Sequence, residues 1–290
     1  MRMVIFGAGF SGKAIAAAAL AQGAAVSGTT RTVENFTGLE AAGIRPFLFA
    51  GGALSPELAS EMAEATHLVQ SIAPGREGDP LVRLGASDLR ARMPKLQWIG
   101  YLSTIGVYGD RRGDWVDESA STQPVPERSR ERVVAEDAWM EIGGAIGIPV
   151  AVLRLSGIYG PGRNAFVNLE KGTARRLVKP GQVFNRIRVE DIGAATLLLA
   201  NRGKGGVFNI TDDEPAPPQD VITEAARLMG VAPPPEQPFE TAELTPMARS
   251  FYGENKRVSN RRIKAEGFQF RFPDYRVSLA ELWQSGNWRG

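Results

Sequence analysis

Apolar residues in the first 160 positions fall in short runs, separated by stretches with helical spacing. Residues 1–6 form an apolar run that stops at Gly7, the pattern of a buried strand. Residues 11–22 are rich in alanine, the best helix former, and end at Gly23. Strands are expected over 25–30, 44–49, 67–73, 96–103 and 149–155. Helices are expected between them over 33–42, 56–65, 81–93 and 129–146. Further on, 189–200 and 221–229 read as helices, 207–210 as a short strand and 213–218 as a loop. A proline-rich stretch over 232–238 then leads into short elements. Strands alternating with helices predict parallel pairing through right-handed crossovers. The expected fold class is α/β: a doubly wound, mostly parallel sheet with a smaller carboxyl-terminal lobe on the substrate side.

Composition narrows the chemistry. The chain has 290 residues and a net charge of +2, with no long run of one sign. A nucleic-acid partner needs a clustered basic face, so none is expected. The alanine-rich stretch is too short to span a bilayer, and no membrane partner is expected. No signal peptide is read at the amino terminus. There is no cysteine, which removes disulfides, thiolate catalysis and cysteine-based zinc sites and fits a cytoplasmic protein.

The most informative motif is Gly7-Ala8-Gly9-Phe10-Ser11-Gly12, a G-x-G-x-x-G placed after a strand and before a helix. In this pattern the first glycine makes the turn and the second lets backbone approach a pyrophosphate. The third lets helix pack on strand. The helix start then offers free N–H groups and a positive dipole end to phosphate. Phe10 and Ser11 belong to the expected contact set. Gly7, Gly12 and Lys13 nearly make a P-loop, but Ala14 stands where a hydroxyl should hold magnesium. The second strand ends at Thr30-Arg31, where an NAD enzyme would place an acid for the ribose hydroxyl. Arg31 suits a 2′-phosphate and Thr30 adds a hydroxyl, so the expected cofactor is NADP rather than NAD. Ser71, Ile72 and Ala73, at the end of the fourth strand, are expected to line the same cofactor. The expected dinucleotide-binding Rossmann domain is 1–163 plus 185–212, and the smaller lobe 164–184 plus 213–290.

Other constellations are weaker. His67 is the sole histidine and begins an apolar strand, so it reads as structural. The acid pairs Asp117-Glu118 and Glu190-Asp191 fit a loop and a helix start better than a metal site. Arg163, Arg186 and Arg188 could grip a carboxylate or phosphate if their segments converge.

Four segments, in order, resemble the extended and atypical short-chain dehydrogenase/reductase families, which include NAD(P)-dependent epimerases and dehydratases. They are Leu102-Ser103-Thr104-Ile105-Gly106-Val107-Tyr108-Gly109; Arg154-Leu155-Ser156-Gly157-Ile158-Tyr159-Gly160-Pro161-Gly162-Arg163; Phe184-Asn185-Arg186-Ile187-Arg188-Val189-Glu190-Asp191-Ile192; and Gly206-Val207-Phe208-Asn209-Ile210. The resemblance implies a Ser or Thr, a Tyr and a Lys at the active centre, acting on a hydroxyl or carbonyl. Thr104 takes the hydroxyl position. The Tyr-x-x-x-Lys pair should open the helix after the loop, yet Arg128 and Arg132 hold those positions. Neither Tyr nor Lys occurs anywhere between Arg111 and Tyr159. Arg132 could still bind a ribose or phosphate, whereas Arg128 cannot act as a general base. Tyr108 and Tyr159, at strand exits, are the remaining phenols that could move a proton. The expected sets are therefore Thr104 and Tyr108 for catalysis, and Tyr159, Arg163, Asn185 and Arg188 for a small-molecule substrate, nucleotide-linked or phosphorylated. Two functions follow: an NADP-dependent oxidoreductase or epimerase-like enzyme, or an NADP(H)-binding sensor that does no chemistry.

Overall fold

The computed structural model describes residues 1–290, the side chain of Met247 aside. In chain order its first half runs β1 (Arg2–Phe6), α1 (Phe10–Leu20), β2 (Ala25–Thr30), α2 (Phe36–Glu40), β3 (Arg45–Leu48), α3 (Pro56–Glu64), β4 (His67–Gln70), α4 (Gly85–Arg92), β5 (Trp98–Thr104), β6 (Trp115–Val116), α5 (Glu127–Ile146) and β7 (Val150–Leu155). It continues with β8 (Gly157–Tyr159), α6 (Ala165–Glu170), β9 (Arg176–Val178), β10 (Arg186–Arg188), α7 (Val189–Asn201), β11 (Gly206–Ile210), α8 (Pro218–Met229), β12 (Glu236–Pro238), α9 (Pro246–Phe251), β13 (Arg257–Val258), α10 (Arg261–Ala265) and α11 (Tyr275–Gln284).

Seven strands form the main sheet in the order β11-β7-β5-β4-β1-β2-β3. The order turns back at β1, as in a doubly wound fold, and β1 pairs in parallel with both β2 and β4. Because helices cover both faces, the inner strands carry no polar alternation: Met3 to Phe6 and Trp98 to Ser103 are all buried. Phe6, Met62, Leu68, Ile99, Trp139 and Val152 belong to one hydrophobic core. The α/β sheet expected from the alternation is the sheet observed.

Two expected helices are shorter than their patterns. Residues 33–42 split into a 3-10 turn over Val33–Asn35 and the five-residue α2. Asn35 Nδ2 donates to the hydroxyls of Thr30 and Thr32 at 3.0 and 3.2 Å, local bonds that compete with the helix start. Residues 81–93 likewise split at Gly85, whose φ is +76°. The fourth strand stops at Gln70, three residues early.

By their internal contacts the residues form two units. Unit 1 holds 1–107, 126–155 and 192–208, and unit 2 holds 108–125, 156–191 and 209–290. This corrects the expected boundaries, which gave 108–125, 156–163, 185–191 and 209–212 to the dinucleotide-binding domain. The reason lies in unit 2. β6 pairs with β13, Lys256 Nζ donates to the Gly109 carbonyl at 2.7 Å, and β8 pairs with β10. Unit 2 has its own core, in which Phe166 meets Trp283 and Trp288 with ring centroids 5.3 and 5.9 Å away. Among the described residues no helix is long and apolar enough to cross a membrane.

Candidate functional site

The three glycines of the turn differ in what a side chain would meet. Gly7 has φ +82°, and a Cβ there would sit 3.0 Å from Ile72 Cγ1 and 3.1 Å from the Ile72 nitrogen. It therefore needs glycine twice over, for conformation and for space. A Cβ on Gly12 would lie 3.0 Å from the Gly7 oxygen and 3.2 Å from Ile5 Cγ2, so Gly12 lets α1 approach β1. A Cβ on Gly9 would meet nothing within 4 Å. Gly9 thus leaves open the place at the start of α1 where a pyrophosphate would come closest to backbone. The first turn of α1, with Phe10, Ser11 and Gly12, contains no acid, and Gly9 at its cap position brings no side-chain bond.

Thr29 ties this turn to β2. The Gly7 N–H donates to Thr29 Oγ1 at 2.9 Å and the Ala8 N–H to the Thr29 carbonyl at 2.9 Å. At the end of β2 the Thr30 hydroxyl accepts from Asn35. Arg31 is exposed, and no described residue pairs with it. The glycine turn and the open space at Gly9 fit a nicotinamide dinucleotide.

Beyond β4, the Ser71 N–H donates to the Phe6 carbonyl at 2.9 Å, which carries Ile72 against Gly7. Ala73 is exposed. A buried carboxylate holds this exit in place. Asp79 accepts from Gln70 Nε2 at 2.7 and 2.8 Å, from Trp139 Nε1 at 3.2 Å and from the N–H of Leu81 at 2.8 Å. Nothing in sequence spacing marks Asp79, because Trp139 lies sixty residues away.

The head of α5 carries arginines where the resemblance implies Tyr and Lys. Arg128 is exposed. Arg132 donates to the Leu102 carbonyl, reaches Tyr101 Oη at 3.5 Å and stands over the Tyr101 ring. Tyr101 is wholly buried, and burial pushes its phenol up to about 12 against the pull of Arg132. It is no substitute base. Thr104 Oγ1 accepts from the Gly106 N–H at 3.1 Å, which leaves the threonine proton free to be donated. Ser129, one residue past the tyrosine position, was not singled out by the sequence. It is buried, and a Cβ on Gly106 would lie 2.9 Å from its Oγ and 3.4 Å from Thr104 Oγ1. Two hydroxyls therefore flank Gly106. Behind them Ser103 donates to Glu136, which pairs with Arg154 at 2.7 Å in a buried network.

In unit 2 several expected site residues have structural work instead. Tyr108 is fully buried and its hydroxyl donates to Asn209 Oδ1 at 2.7 Å, so its proton is held inside the unit. That corrects its expected catalytic role. Asn185 is buried; its Nδ2 donates to the Lys256 carbonyl at 2.9 Å and its Oδ1 accepts from the Val258 N–H at 2.8 Å. It pins β13 rather than a substrate. Arg188 is 1% exposed, pairs with Glu190 at 2.6 Å and Glu281 at 3.0 Å, and stands 4.2 Å over the Phe272 ring. A guanidinium so engaged has no donor left for a ligand. Arg163 is exposed in a turn closed by Gly160, and Tyr159 turns its hydroxyl inward, buried.

No family model matches the chain. A conserved protein of unknown function from Silicibacter pomeroyi DSS is 43% identical, with a TM-score of 0.88 over 98% of this chain and 99% of that one. Protein YeeZ of Escherichia coli K12 is 29% identical over 94% of this chain and 97% of its own length. A protein assigned to the NAD-dependent epimerase/dehydratases in Methylobacillus flagellatus is 25% identical, with a TM-score of 0.73 over 98% of each chain. Below 20% identity the same fold recurs in a UDP-glucose 4-epimerase solved with NAD and in a human epimerase family protein solved with NADPH. The chain thus shares the fold of the NAD(P)-dependent epimerase/dehydratase proteins and resembles the extended and atypical short-chain dehydrogenase/reductase families, with arginines where their Tyr-x-x-x-Lys pair would stand.

Proposed function

We propose that the protein is an NADP-dependent oxidoreductase or epimerase-like enzyme acting on a hydroxyl or carbonyl of a small substrate. The observation that carries this reading is the glycine turn. Gly9 leaves room for a pyrophosphate at the start of α1, and the exposed Arg31 follows β2, the strand paired with β1. A nicotinamide dinucleotide bound there would supply or accept hydride. The chain's own part is to hold the reacting oxygen and move its proton. Thr104, whose lone pair is engaged by Gly106, can donate its hydroxyl proton to that oxygen. Ser129 offers a second hydroxyl beside it. The fixed charge of Arg132, seated against the Leu102 carbonyl, favours negative charge nearby. Calorimetric titration with NADPH and NADH, then a screen of small carbonyls and nucleotide-linked sugars for NADPH oxidation, tests the proposal. Saturable NADPH binding with turnover supports it, and absence of binding by either dinucleotide ends it.

A second reading rests on the head of α5. With arginines at both positions of the Tyr-x-x-x-Lys pair, the protein could bind NADP(H) and report its redox state without chemistry. Tight NADPH binding with no turnover across the same screen favours the sensor.

A further inference from the structure

The loop after β4 leaves the sheet and turns back, and one pair of buried side chains holds both of its ends. Gln70, the last residue of β4, is wholly buried, and Asp79 is 2% exposed. Between them Gly75 and Gly78 exchange backbone bonds at 3.3 and 2.8 Å, which reverses the chain. Gln70 Nε2 donates to both Asp79 oxygens, at 2.7 and 2.8 Å. The loop passes the glycine turn at Ile72, whose Cγ1 and nitrogen lie 3.0 and 3.1 Å from where a Gly7 Cβ would stand.

The pair does more than close the loop. A carboxamide has a donor end and an acceptor end, and either can be turned toward a given neighbour. With Nε2 committed to Asp79, Gln70 Oε1 is the end that meets the Ile72 N–H, accepting from it at 3.3 Å. Asp79 thus selects the orientation that holds the Ile72 backbone. Besides Gln70, Asp79 accepts from the N–H groups of Leu81 at 2.8 Å and Val82 at 3.2 Å and from Trp139 Nε1 at 3.2 Å. Every partner is a donor, so the position has use for two acceptor oxygens and none for an N–H. An asparagine there would aim its own amide hydrogens at a donor. Gln70 would then be released to turn over and present Nε2, a second donor, to the Ile72 N–H.

We infer that Gln70 and Asp79 are positioning residues for the dinucleotide: the carboxylate fixes the carboxamide, the carboxamide fixes the Ile72 backbone, and Ile72 walls the turn at Gly7. The inference rests on the proposed cofactor site and adds to it two residues that act through the backbone. All of these groups lie in unit 1. A turn already held in its binding form has less freedom to lose when the ligand arrives. Releasing the clamp therefore weakens affinity without removing any side chain from the ligand.

The full chain is titrated with NADPH by calorimetry, well below the Tm of every variant. Exchange of the backbone amides over 70–79 is followed by mass spectrometry without ligand. Asp79→Asn and Gln70→Glu should each weaken NADPH roughly tenfold through lost preorganisation, and each should speed exchange over the loop. Gln70→Met adds no buried charge; it should act the same way, and it carries the test where either of the others fails to fold. The reversed pair, Gln70→Glu with Asp79→Asn, should recover NADPH affinity to within roughly threefold of the parent, a coupling read as a double-mutant cycle. In it the new carboxylate can accept from both the Ile72 N–H and the new amide. Its Tm should nonetheless stay below the parent's, because the Trp139 indole then meets an amide nitrogen in place of an oxygen. Affinity that returns while Tm does not separates positioning from bulk stability. Single variants that bind NADPH as the parent does, unchanged exchange over the loop, a reversed pair no better than its components, or affinity that follows Tm across the set would each overturn the inference. A parent chain that binds neither NADPH nor NADH ends the proposed function too, whereas a binding parent with unaffected variants ends this inference alone.

Discussion

A methyl group added at Gly9 would strike nothing within 4 Å. Gly9→Ala should therefore keep its Tm while losing roughly tenfold or more in NADPH affinity, about 1.4 kcal/mol. Gly7→Ala should fare differently. Its positive φ and the Ile72 contact make the substitution cost about 1–3 kcal/mol of stability, read as a lower denaturation midpoint. Arg31→Ala should weaken NADPH by roughly 10–100-fold and leave NADH almost unchanged, because one charged hydrogen bond set is lost. Equal losses for both dinucleotides would remove the argument for a 2′-phosphate. The strand–turn–helix setting of the glycine turn was legible in the sequence because its backbone chemistry is local. Tyr108, Asn185 and Arg188 were not. Their partners stand 101, 73 and 90 positions away, at Asn209, Val258 and Ser278. A polar residue at a strand exit looks the same on paper whether it faces a ligand or an internal partner.

At the scale of elements, β4 and α5 each carry a titratable or charged residue whose burial has a measurable effect. Burial holds the His67 imidazole at the start of β4 below its usual value near 6.5. The unfolded chain then takes up a proton on acidification before the folded one does. Stability is therefore present above about pH 6.5 and falls as pH drops toward the folded value. Denaturant melts at pH 7.5 and 5.5 should show a smaller acid loss in His67→Asn than in the parent chain. Along α5, Glu136 joins Arg154 and Ser103 in the buried layer beneath Thr104. Glu136→Ala should cost about 3–5 kcal/mol, since it leaves a buried guanidinium without its carboxylate. Element positions in unit 1 followed the sequence pattern closely, because apolar runs closed by glycine have few alternatives. Lengths followed less well. Val33–Asn35 and the end of β4 yielded to side chains of Asn35 and Gln70 that bond locally instead of continuing the element.

For the whole molecule, ligand linkage gives the cleanest readout. NADPH at 100 times its Kd should add about 2.7 kcal/mol to stability and raise Tm, and NADH at the same concentration should add less. A chain whose Tm is indifferent to both would be a scaffold rather than a cofactor binder. The doubly wound architecture was readable from the alternation of strands and helices. The division into units was not, because it depends on pairings such as β6 with β13, which join positions more than a hundred apart.

That division also governs how the protein can be made. Each unit is assembled from three separate stretches, interleaved so that no single continuous fragment equals either one. On a ribosome working from the amino end, unit 1 stays incomplete until residue 208 has emerged, and unit 2 waits for the tail that supplies Lys256 and Val258. A nascent chain halted between those points would expose β6 and Asn185 without their partners, a form for chaperones to shield and proteases to find.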